Sequence, residues 1–256
     1  MRAAHRAERK LAKDLATLAA APSDLPRGVR RLVEDGAYGA DLAEGQREAV
    51  RMALTNTVSV LTGGPGCGKS HTVRELVRLV RAGGGSVTLA APTGKAARRL
   101  AELTGAEAMT VHRLAADPHP GEDQGTGPST GAAAEDAIGA LFGAQSTMVH
   151  LIVVDEASML DVYLAARLTA RIPPGTHLLL VGDVDQLPSV GPGAVLADLL
   201  AVPGIARTRL TKVFRQAEQS TIVSNAHLIR AGGLPDRKST RLNSSHSRRA
   251  RMPSSA

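Results

Sequence analysis

Gly63-Gly64-Pro65-Gly66-Cys67-Gly68-Lys69-Ser70 decides the fold. The segment has the spacing G-x-x-x-x-G-K-[ST]. An apolar run, Val58 to Leu61, comes before it, and Lys69 to Arg81 follows with apolar residues at helical spacing. Strand, glycine-rich turn and helix form the setting in which this spacing binds phosphate. Glycines let successive N–H groups converge on an anion, and the helix N-terminus adds partial positive charge. The plain alternative is a glycine-rich turn with no ligand, and the complete motif in its required setting favours phosphate. Lys69 is then expected to reach the β- and γ-phosphates of ATP, and the Ser70 hydroxyl to ligate Mg²⁺. Gly63 to Ser70, with His71 beside them, are the candidate nucleotide-binding residues. Cys67 occupies a variable position and reads as an inert loop residue rather than a reactive thiol.

Outward from this loop, short apolar runs alternate with amphipathic segments. Val87 to Ala90, Val149 to Val154 and Leu178 to Val181 join Val58 to Leu61 as strand candidates. Their near-continuous apolar character suits strands buried on both faces of a parallel sheet. Glu44 to Leu54, Lys95 to Leu103, Asp161 to Ala170 and Ala194 to Leu200 are helix candidates beside Lys69 to Arg81. The alternation predicts an α/β domain with a mostly parallel sheet. Ala3 to Ala20 reads as a further helix, because Leu11, Leu15 and Leu18 share one face. Pro22, Pro26 and Gly28 are expected to break the chain after it. Asp117 to Ala134, rich in Gly, Pro, Ser, Thr and Ala, reads as a surface loop.

Leu151-Ile152-Val153-Val154 ends in Asp155 and Glu156. Ligands of parallel sheets sit at the carboxyl ends of strands. Asp155 is therefore expected to hold Mg²⁺ and Glu156 to activate the attacking water. In isolation the pair would read as a helix cap, and the phosphate loop tips the balance towards chemistry. Leu179-Leu180-Val181-Gly182-Asp183-Val184-Asp185-Gln186-Leu187-Pro188-Ser189-Val190 is a strand followed by a polar turn. Its end is expected beside the first strand. Gln186 can donate to the γ-phosphate there, while a turn held by Asp183 and Asp185 fits the spacing equally well.

Composition narrows the classes. Of 256 residues, 43% are hydrophobic, enough for a substantial core. No run of about eighteen apolar residues occurs, so no membrane span or membrane partner is expected. The single cysteine excludes a disulfide framework and a cysteine-based zinc site, and a reducing cytoplasm is the expected compartment. Four aromatics, Tyr38, Phe142, Tyr163 and Phe214, are too few for modules that stack bases on aromatic platforms. The net charge of +7 is mostly local. Asp236 to Ala256 carries six basic residues against one acid, so the rest of the chain is nearly neutral. That stretch has no Val, Ile, Phe, Tyr or Trp and is expected to be disordered. Its abrupt change of character raises the expectation of a foreign or mis-read end.

Five segments occur in a telling order: Gly63 to Ser70, Ala91-Pro92-Thr93-Gly94-Lys95-Ala96-Ala97, Val154-Asp155-Glu156-Ala157-Ser158-Met159, Gly182 to Val190, and Val213-Phe214-Arg215-Gln216. Together they resemble motifs I, Ia, II, III and IV of superfamily 1B helicases of the RecD type, the exodeoxyribonuclease V alpha subunit and its stand-alone relatives. The resemblance spans roughly residues 40–235. It implies a RecA-like P-loop domain in residues 36–235, preceded by a short helical segment in residues 1–35 that resembles the end of an N-terminal domain. It also implies that ATP hydrolysis drives 5′→3′ translocation on single-stranded DNA, with subunits of a nuclease complex as further partners. On matching positions, Gln46 resembles the upstream glutamine that reads adenine. Gln186 resembles the residue linking the γ-phosphate to DNA-facing elements, and Arg215 the motif IV arginine on that phosphate. Pro92, Thr93, Gly94 and Lys95, with Thr110 and His112, match segments lining the single-strand path. Without the resemblance, Lys95 would read as a solvated first-turn lysine and His112 as a structural histidine.

Motifs V and VI of the family have no match after Pro235, so the second motor domain is expected to be missing. The motif VI arginine completes the ATP site from across the cleft, and such an arginine is worth about 10³–10⁵ in rate. The expectation is a chain that binds ATP·Mg²⁺ and turns it over very slowly. Two rival readings remain at this point. Another P-loop enzyme, a kinase or an AAA-type ATPase, would need an acceptor lid or a downstream helical domain. An inactive nucleotide-binding fragment would show no DNA-stimulated turnover.

Overall fold

The computed structural model describes residues 2–36, 38–116 and 148–214, with Leu228, Gly232 and Gly233 beyond them. The expected loop at Asp117 to Ala134, the arginine at 215 and the stretch from Asp236 lie outside the described residues. The chain divides into two units, residues 1–213 and 214–256, and the first holds the sheet. In the second, the Gly233 N–H donates to the Leu228 carbonyl at 2.8 Å.

The first unit begins with α1 (Arg2–Ala20), α2 (Arg27–Glu34) and α3 (Glu44–Thr55). Alternation then sets in: β1 (Val58–Gly63), α4 (Lys69–Ala82), β2 (Val87–Ala91), α5 (Gly94–Thr104), β3 (Ala108–Thr110) and α6 (Val111–Leu114). After the undescribed residues come β4 (Leu151–Val154), a 3₁₀ turn (Ala157–Met159), α7 (Val162–Thr169), β5 (His177–Gly182), α8 (Val195–Ala201) and β6 (Ala206–Leu210). The six strands are all parallel, in the order β3-β2-β4-β5-β1-β6.

Two apolar layers sandwich this sheet. Alternate residues of one strand point to opposite faces. In β4, Ile152 and Val154 join the layer formed with α1, α6, α7 and α8, while Leu151 and Val153 join the layer formed with α2, α3, α4 and α5. This double coverage is why the inner strands read as unbroken apolar runs. Leu11, Leu15 and Leu18 of α1 are buried against the first layer, as their spacing predicts. Each such leucine contributes about 1.5–3 kcal/mol by leaving water.

Four elements depart from the sequence expectation. The expected break after α1 is present at residues 21–26 but is short: Pro26 is the N-cap of α2, and Gly28 lies inside that helix. Proline suits a helix start, where its missing N–H costs nothing. Gly28 reflects close approach, since a Cβ there would stand 2.5 Å from the carbonyl oxygen of Gly83 at the end of α4. The edge strands β3 and β6 also escaped the reading. β3 has three residues, and β6 alternates half-buried with exposed residues, with Arg207 and Arg209 outward. β4 starts at Leu151 rather than at Val149.

One buried histidine fastens the helical layer to the sheet. His177, fully buried at the start of β5, has Nδ1 2.9 Å from the Ala53 carbonyl of α3 and Nε2 2.7 Å from the Ser23 hydroxyl. A carbonyl can only accept, so Nδ1 carries the proton and Nε2 accepts from Ser23. Burial holds the imidazole pKa below its ordinary value, against the opposing pull of the Ala53 carbonyl.

Candidate nucleotide-binding site

Parallel pairing brings three chemistry-bearing strand ends side by side. β5 lies between β4 and β1, with Gly182 in register with Thr62 and Leu180 with Val154. The loop 63–70, the pair Asp155 and Glu156, and the turn 183–186 therefore leave one stretch of the sheet's carboxyl edge. The end of β5 lies beside β1, as expected from the sequence.

The glycine loop wraps the N-terminus of α4. Gly68 caps the helix at φ 82°, ψ 23°, a left-handed conformation that a side chain would strain. The N–H groups of residues 69–71 find no acceptor among the described residues, as at any open helix start. Gly63 and Gly64 are buried, Pro65 and Gly66 exposed, and Lys69, Ser70 and His71 half-buried. The Lys69 ammonium donates to the Gly63 carbonyl and, at 3.2 Å, to that of Gly64. It curls over its own loop, where a phosphate would compete for it. His71 Nδ1 lies 2.7 Å from an Arg74 guanidinium nitrogen on the same helix. Cys67 is buried.

Gln46, buried at the start of α3, accepts from the Ala43 N–H at 3.0 Å and donates to the Gly68 carbonyl at 3.3 Å. Its amide braces the phosphate loop from behind.

The Asp155 N–H donates to the Ala90 carbonyl, and the Asp155 carboxylate accepts from the Glu156 N–H at 2.9 Å. Burial raises the Asp155 pKa above the ordinary carboxylate value. The Glu156 N–H lowers it, the Glu156 charge raises it, and the positive charges of Lys69 and Arg99 lower it. Glu156 itself takes φ 52°, ψ 39°. Among described residues other than glycine it alone has a positive φ. Such backbone costs on the order of 1–3 kcal/mol, and it concentrates at functional sites.

Beyond β5, the Asp183 side chain accepts from the Asp185 N–H at 3.1 Å, and its carbonyl from the Gln186 N–H at 3.2 Å. The spacing here suits either an aspartate turn or a phosphate-facing glutamine. The turn forms, and it leaves the Gln186 side chain exposed at the sheet edge.

The residues matched to the strand path gather on the neighbouring strand ends. Ala91 of β2 is in register with Thr110 of β3. Thr93 caps α5 and Thr110 caps α6, each hydroxyl oxygen accepting a backbone N–H at 3.2 Å. Capping uses a lone pair and leaves the hydroxyl proton to donate. Pro92 is half-buried, while Gly94, Lys95 and His112 are exposed.

Arg99 escaped the sequence reading. Its one available signal was position: it follows Lys95 by one helical turn on α5, on the same face. Ser158, just after the acid pair, has a buried hydroxyl without a partner among the described residues.

Sheet order, glycine loop and acid pair define a P-loop nucleotide-binding α/β domain. The family model described as "AAA domain" matches residues 41–248, and the chain belongs to that family. It is similar to the ATP-dependent RecD2 DNA helicase of Deinococcus radiodurans, with 40% identity over 239 residues covering 93% of this chain and 31% of that protein. It is also similar to the RecBCD enzyme subunit RecD of Mycobacterium tuberculosis, with 39% identity over 262 residues covering 89% and 40%. The chain thus spans about a third to two fifths of the length of these relatives. Among solved structures, the Pif1 helicase from Candida albicans shares the fold, with a TM-score of 0.51, 21% identity, and coverage of 76% of this chain and 45% of that one. No helix among the described residues is long and apolar enough to cross a membrane.

Proposed function

We propose that this chain is the ATP-binding motor domain of a RecD-type DNA helicase, coupling hydrolysis to movement along single-stranded DNA. The observation that carries the reading is the shared edge. The glycine loop, the acid pair and Gln186 leave β1, β4 and β5, and the residues matched to the strand path leave β2 and β3 next to them. Nucleotide state and strand contact would then communicate across one strand boundary, β2 to β4.

The residues present fit a magnesium-bound triphosphate. A glycine cradle with unpartnered N–H groups suits phosphate oxygens, and a desolvated carboxylate suits a cation. Ser70 and Asp155 would hold Mg²⁺, which supplies charge neutralisation at the phosphates when bound. Lys69 would exchange its loop carbonyls for the β- and γ-phosphates. Glu156 would take the proton of the attacking water. Gln186 would report the γ-phosphate to the turn 183–190, and Arg215 would add positive charge to that phosphate. Gln46 holds the loop in place and has one amide N–H left for adenine. Thr93, Lys95, Thr110 and His112 would donate to backbone phosphates of the strand.

The likeness to RecD proteins supports DNA as the polymer and association with nuclease subunits as a further property. The lone cysteine supports a reducing, cytoplasmic setting. The deciding measurement is ATP turnover by the full-length gene product with and without oligothymidylate. Stimulation supports the motor, and turnover indifferent to DNA would point to another P-loop enzyme.

A further inference from the structure

The turn that carries Gln186 is held from the far side of the phosphate-loop strand. β5 and β6 both pair with β1, one on each side, and Gly182, Thr62 and Arg209 stand in one row across the three strands. Residues opposite one another in parallel strands share a face of the sheet. Here that face is the one covered by α8: a Cβ on Gly182 would meet Leu196 of α8, and Val58 and Val60, which alternate up β1 to Thr62, belong to the same apolar layer. Along this row the Arg209 guanidinium reaches over the buried Thr62 and meets the Asp185 carboxylate at 3.7 Å. Neighbouring strands lie about 4.8 Å apart, so the ion pair spans about 10 Å of sheet, directly below the glycine loop.

Asp185 is tied twice. Its N–H donates to the carboxylate of the buried Asp183 at 3.1 Å, and its own carboxylate faces Arg209. Gln186 comes next, its N–H given to the Asp183 carbonyl at 3.2 Å. β6 is itself fixed on this face by Arg207, two residues before Arg209, which donates to the carbonyls of Leu200 and Val202 at 2.6 and 3.2 Å, where α8 ends. The Arg209 side chain is 61% exposed and that of Asp185 35%, so their pairing adds little to overall stability. What it alters is where the turn rests.

We propose that Arg209 is a positioning residue for the γ-phosphate: by holding Asp185 it keeps the turn in the one arrangement that presents Gln186, and so sharpens the preference for ATP over ADP. Holding a donor in place before the ligand arrives removes the cost of ordering it on binding. ADP lacks the phosphate that Gln186 would meet, and its affinity is therefore indifferent to Arg209. The inference rests on the γ-phosphate reading of Gln186 given above.

The test is nucleotide affinity of the 256-residue chain with Mg²⁺, comparing ADP with the β,γ-imido analogue of ATP by displacement of a fluorescent nucleotide. The bias can be no larger than the worth of the ion pair, so Arg209→Ala is expected to lower the preference for the triphosphate about two- to fivefold. ADP affinity and the melting temperature are expected to stay as in the parent. Arg209→Lys keeps the charge and is expected to recover most of the preference. In a Gln186→Ala background, Arg209→Ala is expected to change nothing further. A parental preference in Arg209→Ala overturns the proposal. So does an equal loss for both nucleotides with a lower melting temperature, which would make Arg209 a structural residue of the sheet edge. An effect of Arg209→Ala that persists without Gln186 would also overturn it, since Arg209 would then act by another route. If Gln186→Ala alone leaves the preference intact, the reading of Gln186 fails and the proposal with it; if the parent binds neither nucleotide, the nucleotide site itself fails.

Discussion

The Gln46 amide donates to the Gly68 carbonyl at 3.3 Å, joining the first turn of α3 to the glycine that caps α4. The same side chain accepts from the Ala43 N–H. Gln46→Ala would leave the half-buried Ala43 N–H without its partner, at about 1–3 kcal/mol, and would free the phosphate loop from α3, while the Gly68 carbonyl keeps the Thr72 N–H and hydroxyl. The expected result is a lower melting temperature together with nucleotide affinity weaker by about tenfold, since about 1.4 kcal/mol is a factor of ten. A melt paired with a fluorescent-nucleotide titration measures both. A fall in stability with unaltered affinity would separate Gln46 from the phosphate loop.

Lys69 has its ammonium folded onto the carbonyls of Gly63 and Gly64. Lys69→Ala removes a charged donor to phosphate, worth about 1.5–3 kcal/mol per hydrogen bond. Nucleotide affinity is expected to drop about 10- to 100-fold or more, with the melting temperature of the nucleotide-free protein nearly unchanged. Calorimetric titration provides the check, and undiminished affinity would remove the phosphate assignment.

A polypeptide of these 256 residues is expected to bind ATP·Mg²⁺ and to be stabilised by it, by about 2.7 kcal/mol at a hundred times the dissociation constant. Its turnover is expected to fall about 10³–10⁵ below that of a motor completed by an arginine from across the cleft. Strand displacement on a 5′-tailed duplex is expected to be absent. Unwinding by this polypeptide alone would contradict the expected need for an arginine from across the cleft.

His177 sets a pH dependence of stability. Its folded pKa lies below the ordinary imidazole value of 6.5 because burial disfavours the charged ring. Below that value the unfolded chain takes up a proton that the folded chain does not. This contribution is therefore constant above about pH 6.5 and is lost as pH falls from there towards the lower folded value. Denaturant melts between pH 7.5 and 5 should show the decline in the parent and a flatter profile in His177→Gln. Parallel profiles would place the acid sensitivity elsewhere.

Glu156 adopts left-handed backbone at φ 52°. Glu156→Gly relieves that conformation while removing the proposed base. Stability of the folded chain is expected to hold or rise, with nucleotide still bound, while DNA-stimulated turnover in the full-length gene product falls. The three readouts together distinguish a strained catalytic carboxylate from a structural cap, whose loss would lower stability.

Spacing over short distances was legible because it is a property of the local chain. The glycine loop with Lys69, the apolar runs that became β1, β2, β4 and β5, and the leucine face of α1 all follow from periodicity and steric freedom read along a few turns. The tertiary structure decided most of what meets what. It put β4 on the other side of β5, so that Asp155 lies within the field of Lys69 and Arg99, and it set Gln46 behind Gly68. It also made a helix of the segment after Pro26 and strands of two edge segments whose own composition is ambiguous. The reason is physical. Which strands become neighbours, and whether a short polar segment pairs at an edge, depends on burying both faces of one sheet at once. That requirement couples residues far apart in the chain and leaves no periodic mark within any single segment.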